Sequence, residues 1–342
     1  MVRTHYPPPI TKRDYLNLDS LSFFVYGISF LPSNDFLVTT LLHLLLLLIS
    51  NSFLDSLLLG GLICNFAGLN FTMTYFNTSP LKIVATIQFA PVMGNVEASM
   101  KVLEPLLDLA FTADLVVLPE LASTGYCFAN LAEAQGCAEE VLYSKFVKFL
   151  EQKARQHNYL VVAGMNEMED GLLYNSSVLV GKNGLIGKYR KLHLFDNEVN
   201  IFEKGNVGLP VFETEIGKIG LLVCYDWMFS EPWRVLALKG AEVVCHSANL
   251  VLPFCQTFLP TYAYINGFSI ISSNRVGEER GVNFMGESMV VDNKGSVLVK
   301  AGNEVEILWT ELDLTASANK SVFKQNDLLK DRRIDVYGNF NL

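Results

Sequence analysis

Three residues whose side chains can make or break covalent bonds stand where apolar runs end: Glu120 closes LVVLPE, Lys191 lies in KYRKLHLF, and Cys224 closes IGLLVC. A thiol attacks only as the thiolate, so it needs a neighbouring base or a depressed pKa. A carboxylate in a dry pocket can take that proton and later return it as an acid. An ammonium beside a substrate carbonyl, with the backbone N–H that follows the cysteine, can hold the developing oxyanion. Each residue alone has a plainer reading. A lone cysteine is more often buried and structural, while a single glutamate or lysine is more often solvated. Their common placement favours chemistry, because sites in layered α/β proteins gather at strand ends.

Competing chemistries have less support. A Cys–His pair would draw on His193 or His246. His193 is expected to face away from Lys191, and His246, at the end of a strand, reads as structural or at most near the substrate. No GxSxG, P-loop or HExxH pattern occurs, so serine-hydrolase, nucleotide and zinc-protease readings lack support. The six cysteines (Cys64, Cys127, Cys137, Cys224, Cys245 and Cys255) form no CxxC pair. A zinc site or disulfide framework is therefore not expected, and a reducing, cytoplasmic compartment is the default. A net charge of −9 argues against nucleic acid as a partner.

The positioning elements are readable from apolar periodicity. Gly217 to Gly240 opens with a strand, passes Cys224 and a polar, aromatic turn, and enters a helix at Ser230-Glu231-Pro232. Ser230 is expected as its cap and Gly240 as its stop. Upstream, KIVATIQFAP is a strand, Asn95 caps a helix over 96–112 containing Pro105, and DLVVLPE is a second strand. Leu142, Phe146 and Phe149 are spaced for one face of a helix ending near His157. Residues 159–164, 173–181, 218–223, 242–246 and 268–273 read as strands. So do 285–299 and 305–314, with Asn293-Lys294-Gly295 as a turn. Strands alternating with helices imply a layered α/β domain.

These blocks carry a resemblance. Leu118-Pro119-Glu120 with Thr124-Gly125-Tyr126, then Lys188 to Leu194, then Gly220 to Asp226, resemble the three signature blocks of the nitrilase superfamily of carbon–nitrogen hydrolases. They stand in the family's order, with 71 residues from Glu120 to Lys191 and 33 more to Cys224. The similarity covers about residues 81–335. Ala241 to Leu252 and Asn274 to Glu279 resemble archaeal and bacterial members. The resemblance implies a four-layer α-β-β-α sandwich that forms a homodimer through helices beside the nucleophile turn. It implies Glu120 as general base and acid, Lys191 and the Tyr225 N–H as stabilisers of the tetrahedral intermediate, and Cys224 as nucleophile. This hydrolase reading calls for no metal or organic cofactor. Glu198 stands where many members keep a second glutamate that positions the substrate. Tyr225-Asp226 replaces the Trp-Glu usual in nitrile-hydrolysing members, which leans the expectation toward a small amide, with a nitrile as the alternative. A catalytically silent binding module would be expected to lack part of the Glu-Lys-Cys set, and all three are present.

The first 80 residues are a different kind of sequence, an apolar extension with only three basic and four acidic side chains. Phe36 to Leu54 is nineteen residues without a formal charge, the length of a transmembrane candidate. Were it to span, the positive-inside rule would keep the N-terminus in the cytoplasm. The other readings are a buried or oligomer-forming helix, or a translated upstream extension to a protein that begins near Met73. The last reading is favoured, with residues 81–342 as the hydrolase domain. A chain truncated to start at Met73 is expected to be soluble and as active as the full chain in ammonia release. An insoluble truncation beside a well-behaved full-length protein would make the leucine run part of the fold.

Overall fold

The computed structural model describes residues 81–337, together with the backbone of Leu62–Phe66 and Leu69–Met73. The chain divides into two units, residues 6–79 and the remainder. Of the first unit, β1 (Leu62–Phe66) and β2 (Leu69–Met73) form an antiparallel hairpin in which Leu62 pairs with Met73. The apolar stretch at 36–54 lies outside the described residues. Among those described, no helix is long and apolar enough to cross a membrane.

Two six-stranded sheets build the second unit. The first has the order β16-β3-β4-β5-β6-β7, from β3 (Leu81–Gln88), β4 (Leu115–Val117), β5 (Leu160–Glu169), β6 (Leu172–Gly181), β7 (Gly184–Arg190) and β16 (Glu306–Asp313). The second has the order β15-β14-β11-β10-β9-β8, from β8 (Val211–Thr214), β9 (Gly217–Val223), β10 (Val243–Ala248), β11 (Ser269–Asn274), β14 (Met289–Val291) and β15 (Val297–Lys300). In each sheet three central strands run parallel, β3-β4-β5 and β9-β10-β11, and the outer strands are antiparallel. Central parallel strands are buried on both faces, which is why LVV and IGLLV are unbroken apolar runs.

Strand alternation sorts the side chains into layers. Leu115 and Val117 of β4, with Leu160 and Val162 of β5, pack against the second sheet beside Leu221 and Val223. Val116, Val161 and Ala163 face the other way, onto Leu103 and Leu107 of α1 (Val96–Leu109) and Phe146, Leu150 and Ala154 of α3 (Lys145–His157). The second sheet is covered by α4 (Ser230–Leu238) and α5 (Cys255–Asn266), which bury Trp233, Leu236, Leu259 and Ala263. The result is the α-β-β-α sandwich expected. The short α2 (Leu131–Gln135) and the antiparallel hairpin β12 (Val276–Glu279) and β13 (Val282–Met285) complete the surroundings of the strand ends.

Local details differ from the sequence expectations for physical reasons. Asn95 does cap α1, accepting the Ala98 N–H at 2.9 Å. Ser230, expected to cap α4, is its first helical residue, and Phe229 holds the cap position without a side-chain bond. Leu142 precedes α3, which Ser144 caps by accepting the Val147 N–H at 3.0 Å; Leu142 is 75% exposed. Within 285–299 the expected turn at Asn293-Lys294-Gly295 is present, but β14 begins only at Met289. Asp292 accepts the N–H groups of Lys294 and Ser296, and this turn separates β14 from β15. Helix α5 has no counterpart among the expectations. Its sequence, CQTFLPTYAYIN, is rich in aromatic and β-branched residues and contains Pro260, so packing against the sheet overrides weak propensity.

Phe146 is wholly buried between α3 and the first sheet, away from the strand ends. Phe146→Ala is expected to lower unfolding stability by ~3–5 kcal/mol, read by urea denaturation, while the folded fraction keeps its specific activity.

Candidate active site

Glu120, Lys191 and Cys224 stand just beyond the C-terminal ends of β4, β7 and β9, and the structure brings the first two into direct contact. The Lys191 ammonium donates to Glu120 Oε1 at 2.7 Å and to Glu198 Oε1 at 2.7 Å. The ammonium and the Glu120 side chain are fully removed from solvent. Glu198 lies in a 3-10 turn, Asp196–Asn200, and is 4% exposed. Its Oε1 also accepts the Tyr126 hydroxyl at 2.6 Å. Among the described residues, Glu120 Oε2 and Glu198 Oε2 have no hydrogen-bond partner.

Burial and charge set the protonation states. Burial pushes the Cys224 thiol well above its usual value and the Glu120 charge adds to it, while Lys191 and the Asn249 backbone N–H pull the other way. The thiol therefore carries its proton near neutrality and needs a base to leave it. Burial would depress the Lys191 ammonium, yet the charges of Glu120 and Glu198 overcome it and the net shift is upward. Burial raises the Glu198 carboxyl, with Lys191 opposing and Glu120 reinforcing.

The backbone holds these groups in unusual conformations. Cys224 has φ 42° and Leu121, next to Glu120, has φ 47°, both in the left-handed region that costs an L-residue about 1–3 kcal/mol. Cys224 opens a 3-10 turn, Cys224–Met228, whose first N–H groups lack acceptors within the turn. Its carbonyl is bound by His246 Nε2 at 2.9 Å, and His246 Nδ1 meets Ser272 Oγ at 2.9 Å. His246 is therefore a support for the Cys224 turn, the structural role expected of it; burial lowers its pKa, keeping it neutral. His193 bonds Asp226 Oδ1 through Nδ1 at 2.8 Å. Residues 191 and 193 would share a face in a continuous strand. They point to different partners because β7 ends at Arg190 and the chain then turns. Tyr225 is half-buried, its ring set edge-on to Phe195 and Phe229.

Several contributors had no role in the sequence reading. Asn175, in mid-strand on β6, donates from Nδ2 to Glu120 Oε1 at 2.7 Å, and its carbonyl accepts the Lys191 N–H at 2.9 Å. Asn249, just after β10, donates to the Glu120 carbonyl at 3.0 Å. Tyr126 sits in a quoted motif without an assigned role. Its loop is tied down by Glu279, whose Oε1 accepts the N–H groups of Tyr126 at 2.8 Å and Cys127 at 2.6 Å. A buried asparagine inside the apolar run LLYNSSVLV was the available signal, since a polar side chain is seldom buried without a task.

Known proteins share this arrangement's frame. A family model described as carbon-nitrogen hydrolase matches residues 83–319. A nitrilase of Pyrococcus abyssi is 41% identical over 257 residues, 74% of this chain and 98% of that protein. An (R)-stereoselective amidase of a Pseudomonas species is 35% identical, over 70% of this chain and 86% of its own. The crystal structure of a carbon-nitrogen hydrolase from Helicobacter pylori superposes with a TM-score of 0.68 at 28% identity, covering 75% of this chain and 97% of its own.

Gly164 on β5 passes so close to the Glu120 turn that a Cβ there would lie 2.4 Å from the Leu121 nitrogen and 2.5 Å from the Glu120 Cα. Gly164→Ala is expected to displace Glu120 and lower turnover on the order of a hundredfold, the cost of about 1 Å of misplacement. Ammonia release at saturating substrate, beside circular dichroism of the folded protein, checks it; unchanged turnover would show that the turn yields freely.

Proposed function

The chain belongs to the carbon-nitrogen hydrolase family, the nitrilase superfamily, and we propose that it hydrolyses the C–N bond of a small amide through a thioester on Cys224. The observation that carries this reading is the buried Lys191 ammonium, held at 2.7 Å by both Glu120 and Glu198 at the strand ends where Cys224 also stands. In acylation Glu120 takes the thiol proton and the sulfur adds to the amide carbon. The carbonyl π pair becomes an oxyanion facing Lys191 and the Tyr225 N–H. Collapse breaks the C–N bond, and the amine leaves with the proton from Glu120. Water then gives a proton to Glu120 as it attacks the thioester, the C–S bond breaks, and the proton returns to sulfur. Amide and water become acid and ammonia or amine, with no cofactor or metal in the cycle. Glu198, fixed by Lys191 and Tyr126, orients the substrate through its second oxygen.

A second reading is favoured by the 41%-identical relative named a nitrilase. A nitrile would meet the same thiol, pass through a thioimidate and consume two waters on the way to acid and ammonia. The (R)-stereoselective amidase supports the amide reading. Ammonia release from parallel amide and nitrile panels separates them. The assembly we propose is a homodimer, because Met228, Leu238, Phe254, Phe258 and Tyr264 leave apolar surface exposed on or beside α4 and α5, the helices nearest the nucleophile turn. The proposed location is cytoplasmic, on the cysteine usage given above.

The roles predict distinct failures. Cys224→Ala is expected to form no acyl adduct by intact mass and to release no ammonia. Glu120→Gln is expected to lose ~10²–10⁴-fold in turnover while its thiol still alkylates slowly. Glu198→Gln is expected to lose on the order of a hundredfold by mispositioning substrate. Activity retained by Cys224→Ala, or inactivation that tracks Cys127, Cys245 or Cys255, would overturn the mechanism. Wild-type protein that neither acylates nor releases ammonia with any panel member would point to a silent binding module.

A further inference from the structure

Glu120 and Lys191 extend from the first sheet and Cys224 from the second, so their mutual spacing depends on what locks the two sheets together at this end. One buried side chain touches the flanks of both Lys191 and Cys224. Asp226 is fully buried. Its Oδ2 accepts the Tyr189 hydroxyl at 2.7 Å and the Val223 N–H at 3.0 Å. Its Oδ1 accepts the His193 N–H at 3.2 Å and meets His193 Nδ1 at 2.8 Å. Tyr189 and His193 stand two residues before and after Lys191, and Val223 immediately precedes Cys224. The Tyr189 hydroxyl also accepts the Leu192 N–H at 3.3 Å, so the bracket around Lys191 closes on itself.

We propose that Asp226 is a positioning residue of the hydrolytic site, setting the Lys191 ammonium against the Cys224 sulfur by holding the chain on either side of each. The inference rests on the reading of Cys224 as nucleophile. Each bond uses Asp226 as an acceptor, and burial with the Asp226 charge keeps Tyr189 a phenol able to donate. An ionised carboxylate is the side chain that accepts on both oxygens. Asparagine has the same shape with one oxygen and one NH₂ group. Whichever way it is placed, a donor then faces two groups that donate to Asp226. The substitution therefore removes acceptance at one end of the bracket, whichever way the amide sits, with little change in volume.

Iodoacetamide is a suitable probe because it is itself a small primary amide. The sulfur–carbon bond forms, iodide leaves with the bonding pair, and the thiol proton passes to Glu120. Saturation kinetics of Cys224 alkylation give a half-saturating concentration, which reports binding, and a limiting rate, which reports alignment. For Asp226→Asn the limiting rate is expected to fall on the order of a hundredfold with half-saturation little changed. Tyr189→Phe is expected to lose less, and the double variant to be no slower than Asp226→Asn alone, because both act through one carboxylate. Full limiting rates in both single variants, with only the melting temperature lowered, would make Asp226 a structural support and overturn the inference. Should Asp226→Asn fail to fold, Tyr189→Phe decides alone, and a wild-type limiting rate there overturns it. Wild-type protein that is not alkylated at Cys224 overturns the functional reading and this inference with it. Alkylated wild type beside unaffected variants overturns only the inference.

Discussion

A lysine ammonium held away from water beside a cysteine is the constraint on which the other features of this protein depend. Removing an ion of this size from water costs several kcal/mol even after the protein relaxes around it. Lys191 offsets that with two carboxylate contacts at 2.7 Å. The carboxylates are buried too, and they inherit the same problem. Glu120 is satisfied on one oxygen by Lys191 and Asn175, and Glu198 by Lys191 and Tyr126. Tyr126 in turn needs its loop fixed, which Glu279 does, itself paired with Arg275 at 2.8 Å. The chain of dependence runs from one charge to segments more than a hundred residues apart. Among the described residues it leaves one oxygen on each glutamate without a hydrogen-bond partner.

The backbone accepts a complementary burden. Leu121 and Cys224 both take left-handed conformations directly beyond parallel strands, one in each sheet. Neither would hold that conformation unaided. Around Leu121 the backbone of Gly164 passes close, and its N–H binds the Pro119 carbonyl at 3.0 Å. Around Cys224 the carbonyl is held by His246 and the preceding N–H by Asp226. Both supports are fully buried, as strained turns require when the surrounding structure must over-determine them. The sheets thus carry Glu120, Lys191 and Cys224, and buried polar side chains hold the turns on which Glu120 and Cys224 stand. Under the proposed mechanism such a site would gain its rate from groups already in place, because hydrogen bonds that need no rearrangement are worth most in a dry pocket.

Much of this was readable before any coordinates. Apolar runs of strand length ending in Glu120 and Cys224 marked both the strands and the exits from them, because local periodicity and burial are properties of contiguous residues. The helix caps at Asn95 and the stop at Gly240 were readable for the same reason; Gly240 has φ 84°, which glycine adopts freely. Three spaced blocks were enough to identify the family and its sandwich, since each block is itself contiguous. Helix α5 was missed because its aromatic and β-branched residues favour other structures, and the sheet beneath it decides the outcome. The limits of α3 were misjudged because spacing alone put Leu142 on a helical face that begins only after Ser144.

What no local reading could supply is which distant residues meet. Asn175 looks like an interruption of an apolar strand until β6 is laid beside β7, which brings its carbonyl to the Lys191 N–H and its amide to Glu120. His193 and His246 could both be set aside as bases from the sequence, but their partners could not be read there. Only the end of β7 at Arg190 and the pairing of β10 with β9 send one to Asp226 and the other to the Cys224 carbonyl. Glu198 reads as a loop acid on its own and becomes a buried partner of Lys191 once the 3-10 turn folds over the strand end. The difference is physical. Strand, helix and turn preferences act over a few residues, whereas the protonation and aim of a buried group depend on charges and donors that only packing of the two sheets brings within about 3 Å.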